Sequence, residues 1–216
     1  MNCVTTNKTA FFREQHHFQF LADVVVPESI RRPRDAARGS FRVWSAACST
    51  GEEPYSIAIS LLETRVRNTE FRNRDLRIVA SDIDTAVLET AVRGIYPEDE
   101  IGGIDAALRN RYFLRGRDEM EGTVKVKPSV AAGIEFKCIN LMHSAWPLTD
   151  TFDAIFFRNA LIYFRQETQD LFLRRMIRRL KPRAYLFLGH SEHIPWLHDL
   201  LEPMQKTVYR LRSTKP

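Results

Sequence analysis

The stretch Arg42-Val-Trp-Ser-Ala-Ala-Cys-Ser-Thr-Gly-Glu-Glu-Pro-Tyr-Ser56 runs from an apolar segment through a turn of small residues into a segment that opens with two carboxylates. An apolar run that ends in such a turn and resumes with helix-starting residues marks a strand-to-helix connection of an α/β sheet, the usual seat of a nucleotide. Glu52 and Glu53 stand where the pyrophosphate of a dinucleotide would lie on the helix N-terminus, and they would repel it. Ala46 and Ala47 stand where a G-x-G-x-x-G loop has glycines, so the dinucleotide reading is weak. The same residues also suit a plain structural turn, since first-turn Glu side chains complement the helix dipole and Pro54 is at home at the first helical position.

The charge at this turn suggests a ligand that carries an adenosine but no phosphate and brings its own positive groups. S-adenosylmethionine, with an ammonium and a sulfonium, has that chemistry. A second acidic stretch, Leu76-Arg-Ile-Val-Ala-Ser-Asp82-Ile-Asp84, reads as a strand delivering two acids at its C-terminal end, where a carboxylate can accept both hydroxyls of a ribose. Asp84 precedes Thr85-Ala-Val-Leu-Glu-Thr-Ala-Val-Arg93 with Gly94 behind it, the pattern of a helix N-cap, which leaves Asp82 as the ribose candidate.

Outward from these stretches, 216 residues suffice for one α/β core of ordinary size with a small insertion. With 44% apolar and 27% charged residues the chain is neither disordered nor fibrous. No apolar run approaches the roughly 20 residues that span a bilayer, and the N-terminus has no signal-type apolar core, so a cytoplasmic location without membrane insertion is expected. Cys3, Cys48 and Cys138 form no close metal or redox pair and read as free thiols. The net charge of +5 and pI near 9.3 suit an acidic partner without choosing among nucleic acid, membrane and protein.

Read for elements, Thr6 to Leu21 is expected to be helical and Pro27 to Gly39 a polar, proline-containing connection. Two βα units follow, Phe41–Ala47 with a helix over Glu53–Val66, then Leu76–Ser81 with Thr85–Arg93, an alternation that predicts a parallel sheet. Residues 98–130 break the rhythm, with a helix near Ile104–Phe113 and an alternating Thr123–Lys127, and read as an inserted subdomain with a hairpin. Strands are expected at Ile134–Asn140, Phe152–Phe157 and Tyr185–Leu188, with a Gln166–Leu180 helix ending at Lys181-Pro182. Thr207–Leu211 alternates and is expected to pair antiparallel at or near an edge. Ligands of such a sheet gather at the strand C-termini. That rule collects Ala47–Glu52, Asp82, Asn140-Leu141 and Arg158-Asn159. Asn140 could read an adenine edge with Leu141 on its face, or be an ordinary turn residue.

Six segments in order carry a resemblance to a known family. They are Thr6-Asn-Lys-Thr-Ala-Phe-Phe-Arg-Glu-Gln-His-His-Phe18, Val43–Ser56, Ala80-Ser-Asp-Ile-Asp84, Arg111-Tyr-Phe-Leu-Arg-Gly116, Phe152-Asp-Ala-Ile-Phe-Phe-Arg-Asn159 and Leu186-Phe-Leu-Gly-His-Ser-Glu192. Together they closely resemble the CheR-type chemotaxis receptor methyltransferases over essentially the whole chain. The resemblance implies a Rossmann-like class I S-adenosylmethionine-dependent methyltransferase: an α/β fold with a mostly parallel sheet, an antiparallel edge strand and a small inserted β-subdomain. It divides the chain into a helical segment and linker over 1–40 and a methyltransferase domain over 41–216, with the insertion around 112–130.

The implied reaction is transfer of a methyl group to glutamate side chains of chemoreceptors, leaving glutamate methyl esters and S-adenosylhomocysteine. By position, Asn7, Thr9, Arg13, Ala47, Glu52, Asp82, Asn140, Leu141, Arg158 and Asn159 fall on the family's cofactor loop and cofactor-binding positions. Arg13 and Tyr163 fall on the pair nearest the reacting centre. The implied partners are the acidic cytoplasmic helices of chemoreceptors, with a receptor C-terminal peptide at the β-subdomain of some members, and no nucleic acid; a monomer is expected. A glutamate is already ionised at pH 7, so the chemistry asks for positioning rather than a general base. His16, His17, His190 and His193 therefore read as packing or surface residues, and no metal site is expected.

The chain departs from the family pattern in several places. Members generally carry an all-helical domain ahead of the Thr-Asn-x-Thr segment, whereas Met1 stands just before it here. Arg183-Ala184 follow Leu-Lys-Pro where Gly-Gly is frequent, Ala47 replaces a frequent glycine, and Asp118 stands where peptide-binding members tend to have glycine. Two other classes compete: a nucleic-acid methyltransferase, which would suit the basic pI although the chain has neither the Asn/Asp-Pro-Pro-aromatic loop nor the Pro-Cys nucleophile of such enzymes, and a cofactor-binding or inert partner module.

Overall fold

The computed structural model of the chain describes residues 9–32 and 40–213. Ten strands alternate with helices: β1 (Ser40–Ala46), β2 (Asp75–Asp82), β3 (Ile95–Pro97), β4 (Phe113–Arg115), β5 (Thr123–Val126), β6 (Ile134–Cys138), β7 (Phe152–Phe157), β8 (Leu180–Leu188), β9 (Leu201–Gln205) and β10 (Val208–Leu211). Seven form one sheet in the order β6-β2-β1-β7-β8-β10-β9, and β3, β5 and β4 form a separate small sheet. The pairs from β6 through β8 are parallel, whereas β10 runs antiparallel to both β8 and β9.

Alternation along the central strands buries both faces of the large sheet. Phe41 and Val43 of β1, Phe156 of β7 and Tyr185 and Phe187 of β8 enter one core, where the rings of Phe156 and Phe187 stack at 4.2 Å. Trp44, Ile155, Phe157, Leu186 and Leu188 enter the other. The first face is covered by α1 (His16–Phe20), a π-helical turn over Leu21–Val25, α2 (Val26–Arg31) and α3 (Glu52–Arg67). The second is covered by Phe172, Leu173, Met176 and Ile177 of the helix Gln166–Ile177.

Local chemistry explains the regular elements. The helix Thr85–Arg93 starts at Asp84, whose carboxylate accepts from the Ala86 N–H at 2.8 Å, and ends at Gly94 in the left-handed region. Asp84 is thus the N-cap that the sequence indicated. Two expectations are corrected. The first helical segment is not Thr6–Leu21: among the described residues, 11–15 form turns with Phe12 and Glu14 at positive φ, the helix starts at His16, and it continues through Pro27 to Arg31. Pro27 lacks an N–H, and the π turn just before it loosens the hydrogen-bond ladder where the ring would otherwise clash. The helix from Gln166 ends at Ile177, and Lys181-Pro182 already belong to β8, whose register against β7 shifts between Phe152 and Ala154. As expected, Val208–Leu211 (β10) pairs antiparallel near the edge, with β9 outermost.

The small sheet takes Thr123–Val126 as its middle strand, with Phe113–Arg115 on one side and Ile95–Pro97 on the other. Ile95–Pro97 lies upstream of the stretch that the broken rhythm singled out. Its pattern is too short to read as a strand. Gly116 is held there by close packing, since a Cβ would lie 1.9 Å from the Met120 carbonyl oxygen. Asp118 adopts φ 55°, a left-handed conformation that Asp tolerates better than most residues.

Candidate cofactor cleft

The C-terminal ends of β1, β2 and β7 open on one solvent-accessible cleft. Its floor is the turn after β1, where Ala47 (φ 59°), Ser49 (φ 49°) and Gly51 (φ 101°) all take left-handed conformations. Gly51 meets two demands. Its φ suits glycine, and a Cβ would come within 2.8 Å of the Ala91 Cβ. Cys48 is buried in the same turn, its N–H donating to the Ser81 carbonyl at 2.9 Å, and burial pushes its thiol well up, away from thiolate character.

Asp82, at the end of β2, is fixed by the chain around it. The Ser49 N–H donates to Oδ2 at 2.8 Å and the Asp84 N–H to Oδ1 at 3.1 Å. Each oxygen keeps a further lone pair, so the carboxylate can still accept a pair of hydroxyls.

The two first-turn carboxylates of α3 part company. Successive helical residues diverge by about 100°, so Glu52 and Glu53 cannot face the same way. Glu53 lines the cleft, with Oε1 accepting from the Ser45 hydroxyl at 2.7 Å and Oε2 from Arg158 Nη1 at 3.1 Å. Burial pushes its carboxyl up, and the Arg158 charge opposes that. Glu52 is buried off the cleft. Both its oxygens accept from the Thr50 hydroxyl, and burial raises its carboxyl too.

Arg158, 7% exposed, is the hub of the opposite wall. Besides Glu53, its guanidinium donates to the Arg13 carbonyl at 2.5 Å, lies 3.3 Å from Glu14 and sits 5.8 Å from the Phe18 ring centroid. It thereby ties the loop Thr9–Gln15 to α3. That loop is pinned a second time where the Phe12 N–H donates to the Ser56 hydroxyl at 2.9 Å. Thr9, Arg13 and Ile83 complete the near wall, and Asn159, Ala160, Tyr163 and Phe164 the far one, with the Tyr163 ring half exposed at the mouth.

Of the residues singled out by sequence, Thr9, Arg13, Ala47, Asp82, Arg158, Asn159 and Tyr163 line the cleft. Asn7 lies outside the described residues. Glu52, Asn140 and Leu141 are not among the lining residues. The Asn140 carboxamide oxygen accepts from the Met142 N–H at 2.9 Å, as a turn residue does, and Leu141 packs on the second core. Glu53 takes the place expected of Glu52. Glu14 and Glu192, which hold the walls from behind, are not singled out by sequence because their wall partners, Arg158 and His190 for Glu14 and Asn159 and Leu161 for Glu192, are remote in the chain.

Glu14, His16 and His17 also bring ligand atoms within 4.8 Å of one another. Arg158 and Lys206 both act on these imidazoles, and that positive field opposes a divalent ion. Burial, with Arg158, pushes His17 down to about 2, so it is neutral.

The donor set suits a cationic adenosine ligand. Two carboxylates, Glu53 and Asp82, face the space, while the guanidinium of Arg158 is already engaged by Glu14 and Glu53. A polyphosphate would meet like charge at the start of α3.

Comparison with known proteins agrees. A family described as "CheR methyltransferase, SAM binding domain" matches residues 7–210. "Chemotaxis protein methyltransferase 2" of Pseudomonas aeruginosa is 43% identical over 209 residues, covering 97% of this chain and 71% of that protein. The "Chemotaxis protein methyltransferase" of Escherichia coli K12 is 45% identical over 211 residues, covering 98% and 69%. Among the described residues no helix is long and apolar enough to cross a membrane. The chain belongs to the CheR methyltransferase family and carries its S-adenosylmethionine-binding domain.

Proposed function

We propose that this chain esterifies glutamate side chains of chemoreceptors, taking the methyl group from S-adenosylmethionine and leaving a glutamate methyl ester and S-adenosylhomocysteine. The observation that carries this reading is the cleft, where Glu53 and Asp82 offer negative charge inside and Arg13 and the half-exposed Tyr163 line its wall and mouth. Relatives that share more than two fifths of the sequence are named chemotaxis protein methyltransferases.

When bound, the cofactor supplies an electrophilic methyl group on a sulfonium. Asp82 would hold the ribose hydroxyls, and Thr9, Arg13 and Glu53 the amino-acid end, with Asn7 and Asn159 adding polar contacts. Ala47 lets the backbone approach the ligand closely. Asn140 and Leu141 lie outside the lining residues and would reach an adenine only if their loop folded inward. Arg13 would also steer the incoming carboxylate, and Tyr163 would present its ring to the positive sulfur. The substrate carboxylate is ionised near neutral pH, so the chain contributes orientation of oxygen, methyl carbon and sulfur in a line, an effect that can supply about 7–11 kcal/mol.

In this reading the enzyme is a cytoplasmic monomer whose partners are the acidic cytoplasmic helices of receptors. The stretch around 112–130 is its inserted β-subdomain. A receptor C-terminal peptide would pair with the small sheet there, with Asp118 at a position where peptide-binding relatives tend to have glycine.

Calorimetry with S-adenosylhomocysteine, with Asp82→Ala as control, followed by methyl transfer to receptor fragments, tests the reading. Micromolar binding lost in the variant, with base-labile methyl groups appearing on receptor glutamates, is expected. Binding without transfer to receptor fragments, or transfer to RNA instead, would overturn the substrate assignment.

A further inference from the structure

Strands β7 and β8 lie side by side, with Phe157 opposite Leu188, so the loops that follow them leave the sheet at the same edge. Between these loops sits a buried carboxylate. Glu192 is 3% exposed, and its two oxygens accept three backbone N–H groups: Gly189 at 2.6 Å and Asn159 at 2.9 Å on Oε2, and Leu161 at 2.8 Å on Oε1. Two of those donors belong to the cleft wall of Arg158–Phe164.

That wall is in a conformation it would not choose alone. Asn159 has φ 58°, a left-handed backbone that Asn tolerates at a cost. It can lie there because Gly189 has no side chain: a Cβ on Gly189 would stand 2.4 Å from Asn159 Nδ2 and 2.8 Å from its backbone nitrogen. The same short loop reaches the other wall, where the His190 N–H approaches Glu14 at 3.3 Å. Glu14 in turn faces Arg158.

We infer that Glu192 is a positioning residue for the cofactor cleft: by accepting the Asn159 and Leu161 N–H groups over a bare Gly189, it sets the path of the wall that presents Arg158, Asn159 and Tyr163. Its side chain touches neither cofactor nor substrate. The inference deepens the proposed function and rests on that reading for the role of the cleft, but it stands on cofactor affinity alone, whichever substrate is methylated.

The test uses the whole chain. Glu192→Gln keeps the shape but replaces one accepting oxygen by an amino group that cannot take an N–H. Gly189→Ala disturbs the same wall from the other side. Tyr185→Phe, which removes a hydrogen bond to Glu28 away from the cleft, is the stability control. Affinity for S-adenosylhomocysteine is measured by calorimetry well below the melting point of each variant, and kcat and KM for S-adenosylmethionine are separated on a receptor fragment.

Both wall variants are expected to weaken cofactor affinity at least tenfold and to raise KM, while Tyr185→Phe lowers the melting temperature and leaves affinity unchanged. If Glu192→Gln and Gly189→Ala melt lower but bind the product as the wild type does, Glu192 is only a structural brace and the inference fails. Absence of receptor methylation in the wild type, with the tenfold affinity loss still seen in the variants, would sink the substrate assignment and leave this inference standing.

Discussion

Strand β7 carries a buried charge at each end, and the two are used differently. At its foot Asp153 accepts from the Arg42 backbone N–H at 2.9 Å, from Lys181 at 2.7 Å and from Arg32 at 3.3 Å. Just past its head Arg158 serves Glu53, Glu14 and the Arg13 carbonyl. Both clamps tie distant segments to the central strand. The foot clamp has partners that reach solvent, with Arg32 and Lys181 side chains 20% and 13% exposed. The head clamp has carboxylate partners, Glu14 and Glu53, 11% and 13% exposed, and Glu53 lines the cleft. A buried charge stabilises only while it is paired. Loss of Arg158 leaves two short carboxylate side chains facing each other, whereas the long stems of Arg32 and Lys181 can turn their charges to water, so the head is the more fragile end.

Removing Arg158 should therefore have the largest effect. Arg158→Ala takes the guanidinium from Glu14 and Glu53 and leaves the 9–15 loop held by the Phe12–Ser56 hydrogen bond. About 3–5 kcal/mol of stability should be lost in urea unfolding, together with measurable binding of S-adenosylhomocysteine. Retention of both would mean that the guanidinium is not the hub that its contacts describe.

Asp153→Asn sharpens the contrast. Its cationic partners can turn to water, so a loss of about 1–3 kcal/mol is expected, with cofactor affinity unchanged within error. If affinity fell with stability, the two ends of β7 would be coupled and the division between brace and site would be wrong.

His17 lies between these regimes, a buried imidazole that donates no charge to either clamp. Burial and Arg158 hold it near 2 in the fold, against 6.5 in the unfolded chain. Between those values the unfolded chain binds the extra proton, so stability falls as pH drops through 6.5 and the loss continues toward 2. From pH 6.5 to 5.5 this should cost about 1 kcal/mol, read as a smaller pH slope in His17→Gln than in the wild type. The raised Glu52 and Glu53 act in the opposite sense, favouring the folded state at pH below their folded values and losing that as pH rises above 4.5. The difference between the two proteins cancels them. Equal slopes would show that His17 is charged or solvated.

Legibility in the sequence followed locality. The cap at Asp84, the stop at Gly94, the strand Phe152–Phe157 and the acid Asp82 were each readable because their signal and their partners lie within a few residues. Choosing Glu52 over Glu53 needed the rotational phase of α3, and that helix hides it: Tyr55 through Ile59 and Leu61 are buried on nearly every side, leaving no polar face to fix the phase. Pro27 read as a break because the π turn that accommodates it has no sequence signature of its own. Glu14 and Glu192 were invisible as wall supports, since their partners lie up to 176 residues away. The family resemblance reached the cleft as a whole; only the fold told lining residues from neighbours.

The smallest expected effect comes from the foot of the sheet, at Arg183. It follows Lys181-Pro182, where the family pattern implied by the resemblance often has glycine, and it sits at φ 59° inside β8, at the register shift against β7. A side chain in the left-handed region costs about 1 kcal/mol, and glycine returns part of that gain through the greater freedom of the unfolded chain. Arg183→Gly should therefore stabilise by about 0.5 kcal/mol. Arg183→Ala serves as the reference, because it removes the guanidinium but keeps the Cβ and its strain. The Arg183 carbonyl accepts from Arg32 at 2.8 Å in either variant, so the foot clamp is preserved and the backbone term is isolated. Glycine no more stable than alanine would mean that the strand holds this conformation without strain, and that the departure from the family pattern at the foot of the sheet is neutral, as cofactor affinity should be in both variants.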